Sequence, residues 1–277
     1  MNDAVITFGP ALIAVLVLLT AAGAAIVRWG ELGQGRAVLI AAVRAVAQLA
    51  LVSLVITAIL RSNPLTGLFV LLMFGIAAAT SARRAGGWAN LPWTALAIAA
   101  GVAPVLALVL GAGVVPLRPI AVVPIAVIGG AMTATSQAAR RALDELKARH
   151  GEYEAALALG FMPRPAALEI CRPSAGHALI PALDQTRTVG LVTLPGAYVG
   201  VLLGGAGPLQ AGTTQVLVLI GLLAAEAVSI LVTVQCVAAG KLTDRTYDFR
   251  RTRYAGSRTP GPRRSPARLS LRRRAPS

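Results

Sequence analysis

Apolar residues in this chain do not alternate with polar ones; they run. Stretches of about 20 mostly apolar residues, enough to cross a hydrocarbon core as helix, recur along its length. They lie at 9–27, 37–60, 65–81, 93–114, 118–136, 178–204 and 213–238. Helix breakers separate them: Gly30, Gly33 and Gly35, then Asn63-Pro64, Gly86-Gly87, Pro116, and last Gly204-Gly205 with Gly207 and Pro208. The pattern predicts an all-α integral membrane protein, a polytopic bundle of about seven transmembrane helices with one long link at 137–177. The run from Gly9 lacks a basic flank before it and a small-residue cleavage site after it, so it reads as a helix and not as a signal peptide.

Charge orients the spans. Of 26 Lys and Arg, the links on one side collect Arg28, Arg36, Arg83, Arg84, six in 137–177 and twelve in 241–277. Arg61 and Arg118 fall on the other side, and Arg44 and Arg187 lie within spans. The positive-inside rule then places the N-terminus outside and the C-terminus in the cytoplasm, which suits an odd number of crossings of a plasma (inner) membrane. The membrane region is expected to fill 1–240. The tail 241–277 holds most of the excess behind the net charge of +15. From 250 onward it is Arg, Pro and Ser, a composition that buries no core and reads as disordered. It is either simply solvated or in contact with anionic headgroups of membrane lipid.

Composition agrees. The chain is 56% hydrophobic and 13% charged, where a soluble domain carries about 25% charged residues. Because the positive charge follows topology and one tail, nucleic acid is not an expected partner. Cys171 and Cys236 both fall on the cytoplasmic side, where a structural disulfide is not expected. Neither CxxC nor HExxH occurs, so no metal site is assigned. Met73 and Met132 read as core fillers, and His150 and His177 carry no assigned role.

The link 137–177 has two parts. QAARRALDELKARHG offers the i,i+4 pairs Arg140/Asp144, Arg141/Glu145 and Glu145/Arg149, as on an exposed continuation of the fifth span, with Gly151 as a stop. EYEAALALGFMPRPAALEICRP follows. Ala-Ala-Leu-Ala-Leu is a strong helix former, Gly160 permits a tight turn, and Pro163 and Pro165 stiffen the exit, with Pro165 able to open a second short helix. A helix–turn–helix knob is expected on the cytoplasmic side. Glu154, Ala155 and Ala156 precede Gly160 by the spacing of EAA, three residues, Gly; Ile170 and Pro173 follow. This resembles the EAA loop of ABC-transporter permeases, with Arg172 where that pattern has Leu. The resemblance implies docking of Glu154, Ala155, Ala156, Gly160, Ile170 and Pro173 onto a separate ATPase subunit. No GxxxxGK[ST] occurs, and the one Gly-Lys, Gly240-Lys241, is followed by Leu242. The chain is therefore expected to be a transport subunit and not an enzyme, with no cofactor of its own and ATP-Mg held by the partner.

Four blocks narrow the resemblance: MTATSQAARRALDEL (132–146), EAALALG (154–160), LIPALDQTRTVGLVTLPGAYVGVLLGG (179–205) and VLIGLLAAEAV (218–228). Together they resemble the FetB-type permeases, which are associated with iron export and pair with a FetA-type ATPase. That resemblance implies a homodimeric permease whose substrate is a metal ion or another small molecule.

Four ionised residues lie in or near spans: Arg44, Asp184, Arg187 and Glu226, with Gln48 one turn from Arg44. Charges in hydrocarbon demand partners or a path. Asp184, Arg187 and Thr188 share a helix face near the cytoplasmic end, and either brace the link against the bundle or flank a cation path. Glu226, near the middle of the last span, is the better path residue. Pro195-Gly196 should break the sixth span, and Gly196, Gly200 and Gly204 recur every four residues, a ridge suited to a dimer interface or to packing within one chain. The leading expectation is an ABC permease. The alternatives are an ion-gradient-driven secondary transporter relying on Glu226 or Asp184, and a non-transporting scaffold recruiting partners through its basic tail.

Overall fold

A computed structural model describes residues 9–60, 63–113 and 122–244. The chain divides into two compact units, Met1–Phe69 and Val70–Ser277. In the first, α1 (Pro10–Trp29) and α2 (Gly35–Leu60) pack on each other. Pro10 opens α1, where its missing N–H costs nothing. The tight link to α2 uses left-handed backbone at Glu31 and Gly33. No residue of α1 is buried although the helix is apolar all round. Such a helix is stable only where lipid or another apolar surface covers it.

α3 (Asn63–Arg84) carries the chain into the second unit, which contains α4 (Leu91–Gly111), α5 (Val122–Ala148), α6 (His150–Ala158), α7 (Pro163–Gly176), α8 (Ile180–Thr188), α9 (Gly196–Leu203) and α10 (Pro208–Ala238). α10 is its axis. Its 31 residues make a rod roughly 46 Å long, well beyond a hydrocarbon core of about 30 Å. α4 runs antiparallel to it, with Gly221 of α10 beside Val105 and Gly101 of α4 beside Ala225 and Ser229. α5 runs parallel, with Gly130 beside Leu222 and Glu226, and Lys147 at its far end paired with Asp244. Small residues fill the seams: Ala77, Ala78, Ala97, Ala131, Ala134, Ala138, Ala142 and Ala225 are all buried. Their lack of bulk lets backbones approach, which is how helices associate where apolar burial alone gives no preference. Hydroxyls stitch the seams. Thr94 Oγ1 donates to the Ala78 carbonyl, Ser81 Oγ to the Met132 carbonyl and Ser136 Oγ to Ser81 Oγ, each at 3.1 Å.

Among the described residues, five helices are long and apolar enough to cross a membrane: α1, α2, α3, α4 with the turn before it, and α10. With no strand among those residues beyond an isolated bridge between Val189 and Thr193, the chain is an all-α, multi-pass membrane protein. The expected span 118–136 starts outside the described residues; the rest is the first part of α5, which runs unbroken to Ala148. The expected span 178–204 is not one helix. A 3-10 turn at His177–Leu179 leads into α8, the chain leaves helix at Val189, and α9 begins only at Gly196. Gly190 takes φ +79°, and the freed N–H groups of Leu191 and Val192 bond back to the Thr188 carbonyl at 3.2 and 3.0 Å. Pro195, extended at ψ 146°, caps the start of α9. The expected break at Pro195-Gly196 marks the start of α9, but the chain leaves helix earlier, at Val189.

Candidate functional site

The knob forms as α6, a four-residue turn and α7. Its boundary with α5 lies at Arg149, not at Gly151, which sits inside the first turn of α6. Arg149 leaves helical geometry (φ −107°, ψ 32°), its Nε donates to Glu152 Oε1 at 2.8 Å and its second amino group pairs with Glu152 Oε2. This fork holds the Glu152 carboxyl below its usual range. Gly160 does what its type suggests. At φ +92° it ends α6 with Phe161 N–H donating to the Ala156 carbonyl and Gly160 N–H to Leu157, both at 3.0 Å. That bond pair is a Schellman motif. Pro163, not Pro165, opens α7, with Met162 as its extended N-cap residue.

The knob has an apolar tip and a fused base. Leu159, Phe161 and Met162 are 80, 56 and 71% exposed. Glu154 and Ala155 are exposed on α6 and Ala156 is half-buried; Glu154 Oε1 lies 3.1 Å from His150 Nε2. On α7, Ala166, Ala167, Ile170, Cys171 and Ala175 are buried in one core with Leu143 and Leu146 of α5 and Val234 and Val237 of α10. Ile170 is thus a root of the knob, and Pro173 sits exposed inside α7. Burial pushes the Cys171 thiol up to about 11. Arg164, at the outer end of α7, donates to Gln235 Oε1 of α10 at 2.6 Å.

A clamp closes the same end of the bundle. Asn90 donates to the Ala85 and Thr243 carbonyls at 2.9 and 2.8 Å and accepts from Thr243 N–H at 3.2 Å. Gly86, at φ +120°, lies where a Cβ would come within 2.8 Å of the Thr243 carbonyl, so only glycine fits. Lys241 Nζ sits 4.3 Å from the Trp93 ring centre, Leu242 is fully buried and Asp244 pairs with Lys147. The start of the expected tail, Lys241–Asp244, is therefore part of the packed bundle; 245–277 lie outside the described residues. Of the ion pairs expected along α5, Glu145–Arg149 forms at 3.7 Å. Among the described residues Arg140/Asp144 and Arg141/Glu145 do not form; Arg140 Nε donates to the Arg84 carbonyl at 3.0 Å.

In the apolar half, Glu226 is buried on α10 against Gly130 of α5, whose added Cβ would stand 2.5 Å from its carboxylate. Among the described residues no hydrogen bond or ion pair reaches that carboxylate. Gln215 Oε1 and Ser229 Oγ on the same helix, and Thr135 Oγ1 on α5, are also buried without partners. Buried polar groups are rarely left so. With Glu226 they make a set of buried polar side chains along α10 and α5. Asp184 and Arg187 lie elsewhere: they meet at 3.8 Å with side chains 62 and 72% exposed, and neither reaches the knob among the described residues. Arg44 and Gln48 are exposed on α2 in the first unit. Of the four intramembrane charges only Asp184 and Arg187 are brought together. The Gly196 and Gly200 positions face open space, and a Cβ at Gly204 would meet only carbonyls of its own helix, so no other described residue fills the ridge. Among the described residues no group of three or more His, Cys, Asp or Glu could hold a metal ion.

Comparison with known proteins gives the family. The family model described as "Uncharacterised protein family (UPF0014)" matches residues 10–240. The UPF0014 membrane protein STAR2 of Oryza sativa subsp. japonica is 35% identical over 214 residues, 74% of each chain. Protein ALUMINUM SENSITIVE 3 of Arabidopsis thaliana is 36% identical over 162 residues, 57% of this chain and 59% of its own. The "Probable iron export permease protein FetB" of Escherichia coli is 32% identical over 139 residues, 50% of this chain and 54% of its own. No solved structure matches. A match across nearly the whole of the membrane region, shared with these relatives, makes this chain a member of the UPF0014 family of membrane proteins.

Proposed function

We propose that this chain is the membrane-spanning permease subunit of an ATP-driven ABC transporter that exports metal ions, iron among them, working as an inner-membrane homodimer with a separate ATPase on its cytoplasmic face. The observation that carries the reading is the knob. It has an exposed apolar tip at Leu159, Phe161 and Met162, and a base buried against both α5 and α10. A tip of that kind needs a partner groove, and a base of that kind moves only with the bundle. The metal is taken from the names of the relatives, one an iron export permease and one named for aluminium.

In this reading ATP closes two ATPase subunits and draws two knobs together. The pull passes through α7 and the Arg164–Gln235 bond into α10, shifting it against α5. Glu226, held unpartnered at that seam, then meets the cation path and offers hard carboxylate oxygen to the ion. Gly196, Gly200 and Gly204 supply the close approach of the second copy; cysteines placed at Gly200 should cross-link two chains.

The test is co-purification. Tagged chain expressed with its ATPase should retain that subunit, and Phe161→Asp with Met162→Asp should release it while leaving the membrane helices folded. Undiminished retention by that variant would remove the knob from the mechanism. Metal transport without any ATP-hydrolysing partner would favour a gradient-driven carrier built on Glu226.

A further inference from the structure

The end of α3, the Gly86-Gly87 turn and the middle of α5 enclose a cleft of about 580 Å³ lined by Arg83, Arg84, Trp88, Arg140, Asp144 and Asp244. The permease reading makes no use of it. Asp244 is already neutralised by Lys147. Arg83, Arg84 and Arg140 have no carboxylate partner among the described residues, although Asp144 lies one turn from Arg140. The bond from Arg140 Nε to the Arg84 carbonyl fixes the first guanidinium and leaves its terminal amino groups for another acceptor. Arg83 stands 6.0 Å from the centre of the Trp88 ring, which is itself 55% exposed.

Position identifies what such a group of cations meets. The apolar window of α3 ends at Arg84 and that of the next span begins at Trp88, so the cleft sits at a membrane–water boundary. An exposed Trp belongs at that depth, with its ring in the headgroup layer. The turn backbone is braced, since Gly86 and Asn90 are both packed against Thr243, which keeps the three arginines grouped around one cleft. A phosphate oxyanion is the ligand that planar, charged donors of this kind take best.

We propose that this cleft is a binding site for a phosphate-bearing anion, supplied by the membrane as the headgroup of an anionic phospholipid. The bound lipid would bridge α3 and α5 at the end where the knob joins the bundle. Asp144 on the cleft wall repels any anion placed beside it, so the phosphate is seated against Arg83, Arg84 and Arg140.

The full-length chain in nanodiscs tests this. Retention of phosphatidylglycerol against phosphatidylcholine, read by native mass spectrometry, is compared for wild type, for Arg83→Gln/Arg84→Gln/Arg140→Gln, and for the equal-charge control Arg258→Gln/Arg263→Gln/Arg264→Gln in the basic tail. The cleft variant should lose phosphatidylglycerol retention by about tenfold or more and the control should keep it. Equal loss in the two variants would overturn the site. A third arm adds millimolar inorganic phosphate: displacement of the lipid by phosphate alone, with no preference for the lipid over phosphate, would overturn the membrane as the source. Thermal unfolding of the cleft variant in phosphatidylcholine, unchanged from wild type, confirms that the loss is not one of folding.

Discussion

Glycines decide how closely α10 is held. A Cβ at Gly101 would lie 2.2 Å from Ser229 Oγ and 2.3 Å from the Ala225 carbonyl, and a backbone carbonyl cannot step aside without its helix. Gly101→Ala should therefore force α4 away from α10 and cost roughly 1–3 kcal/mol, read as a lower unfolding temperature in detergent. At Gly130 the added atom would meet Leu222 Cδ1 at 2.2 Å and Glu226 Oε1 at 2.5 Å, both ends of side chains. Gly130→Ala should be milder in stability but should displace Glu226 and lower transport. Glu226→Gln should fold and reach the membrane normally yet lose transport; full activity would exclude the carboxylate from the path. Cys171 makes a pH prediction. Its thiol is raised to about 11 by burial, so the thiolate that reacts is scarce near neutrality and accumulates only as pH rises toward that value. A maleimide should leave Cys171 unlabelled at neutral pH in the folded protein and modify it after denaturation.

At the level of elements, the knob is legible in sequence where local chemistry rules. Gly160 had to end a helix because left-handed backbone at a non-glycine costs roughly 1–2 kcal/mol, and α6 ends there in fact. Gly151 misled because the chain leaves helical geometry two residues earlier, at Arg149, and Gly151 is taken into the first turn of α6. The break at Val189–Pro195 was only half visible: Pro195-Gly196 marked its end, but nothing in an apolar run distinguishes a continuous helix from one that leaves helix at Thr188. Links between distant residues were beyond sequence altogether. Arg164 and Gln235 lie 71 positions apart, and Asn90 reaches Thr243 across 153. The first of these carries a prediction. Arg164→Ala should leave ATPase binding intact, since the tip is untouched, yet weaken the coupling of ATP hydrolysis to transport. Loss of ATPase binding in that variant would place Arg164 in the docking surface and not in transmission.

Across the whole molecule, the knob, the clamp and the Arg-lined cleft all lie at the same end of the second unit. The buried polar side chains of α10 and α5 extend from Thr135 and Ser229, beside Ala134 and Ile230 of the knob's core, to Glu226 and Gln215 further along α10. In the proposed reading a partner held at the knob and a buried carboxylate further along the same helix are suited to passing motion between them. Fold class and membrane placement followed from hydropathy, since nothing else satisfies backbone groups in lipid. Of the four charges expected in or near spans, the geometry joins only Asp184 to Arg187 among the described residues, because pairing needs an adjacency in space that positions along the sequence do not contain.

The most direct measurement is ATP hydrolysis and iron movement by the purified chain with its ATPase, reconstituted together in sealed proteoliposomes. The account predicts that iron raises ATP hydrolysis, that iron moves only when ATP is hydrolysed, and that both effects vanish with Phe161→Asp/Met162→Asp. Iron movement that persists without ATP, or ATP hydrolysis indifferent both to iron and to the knob variant, would contradict it.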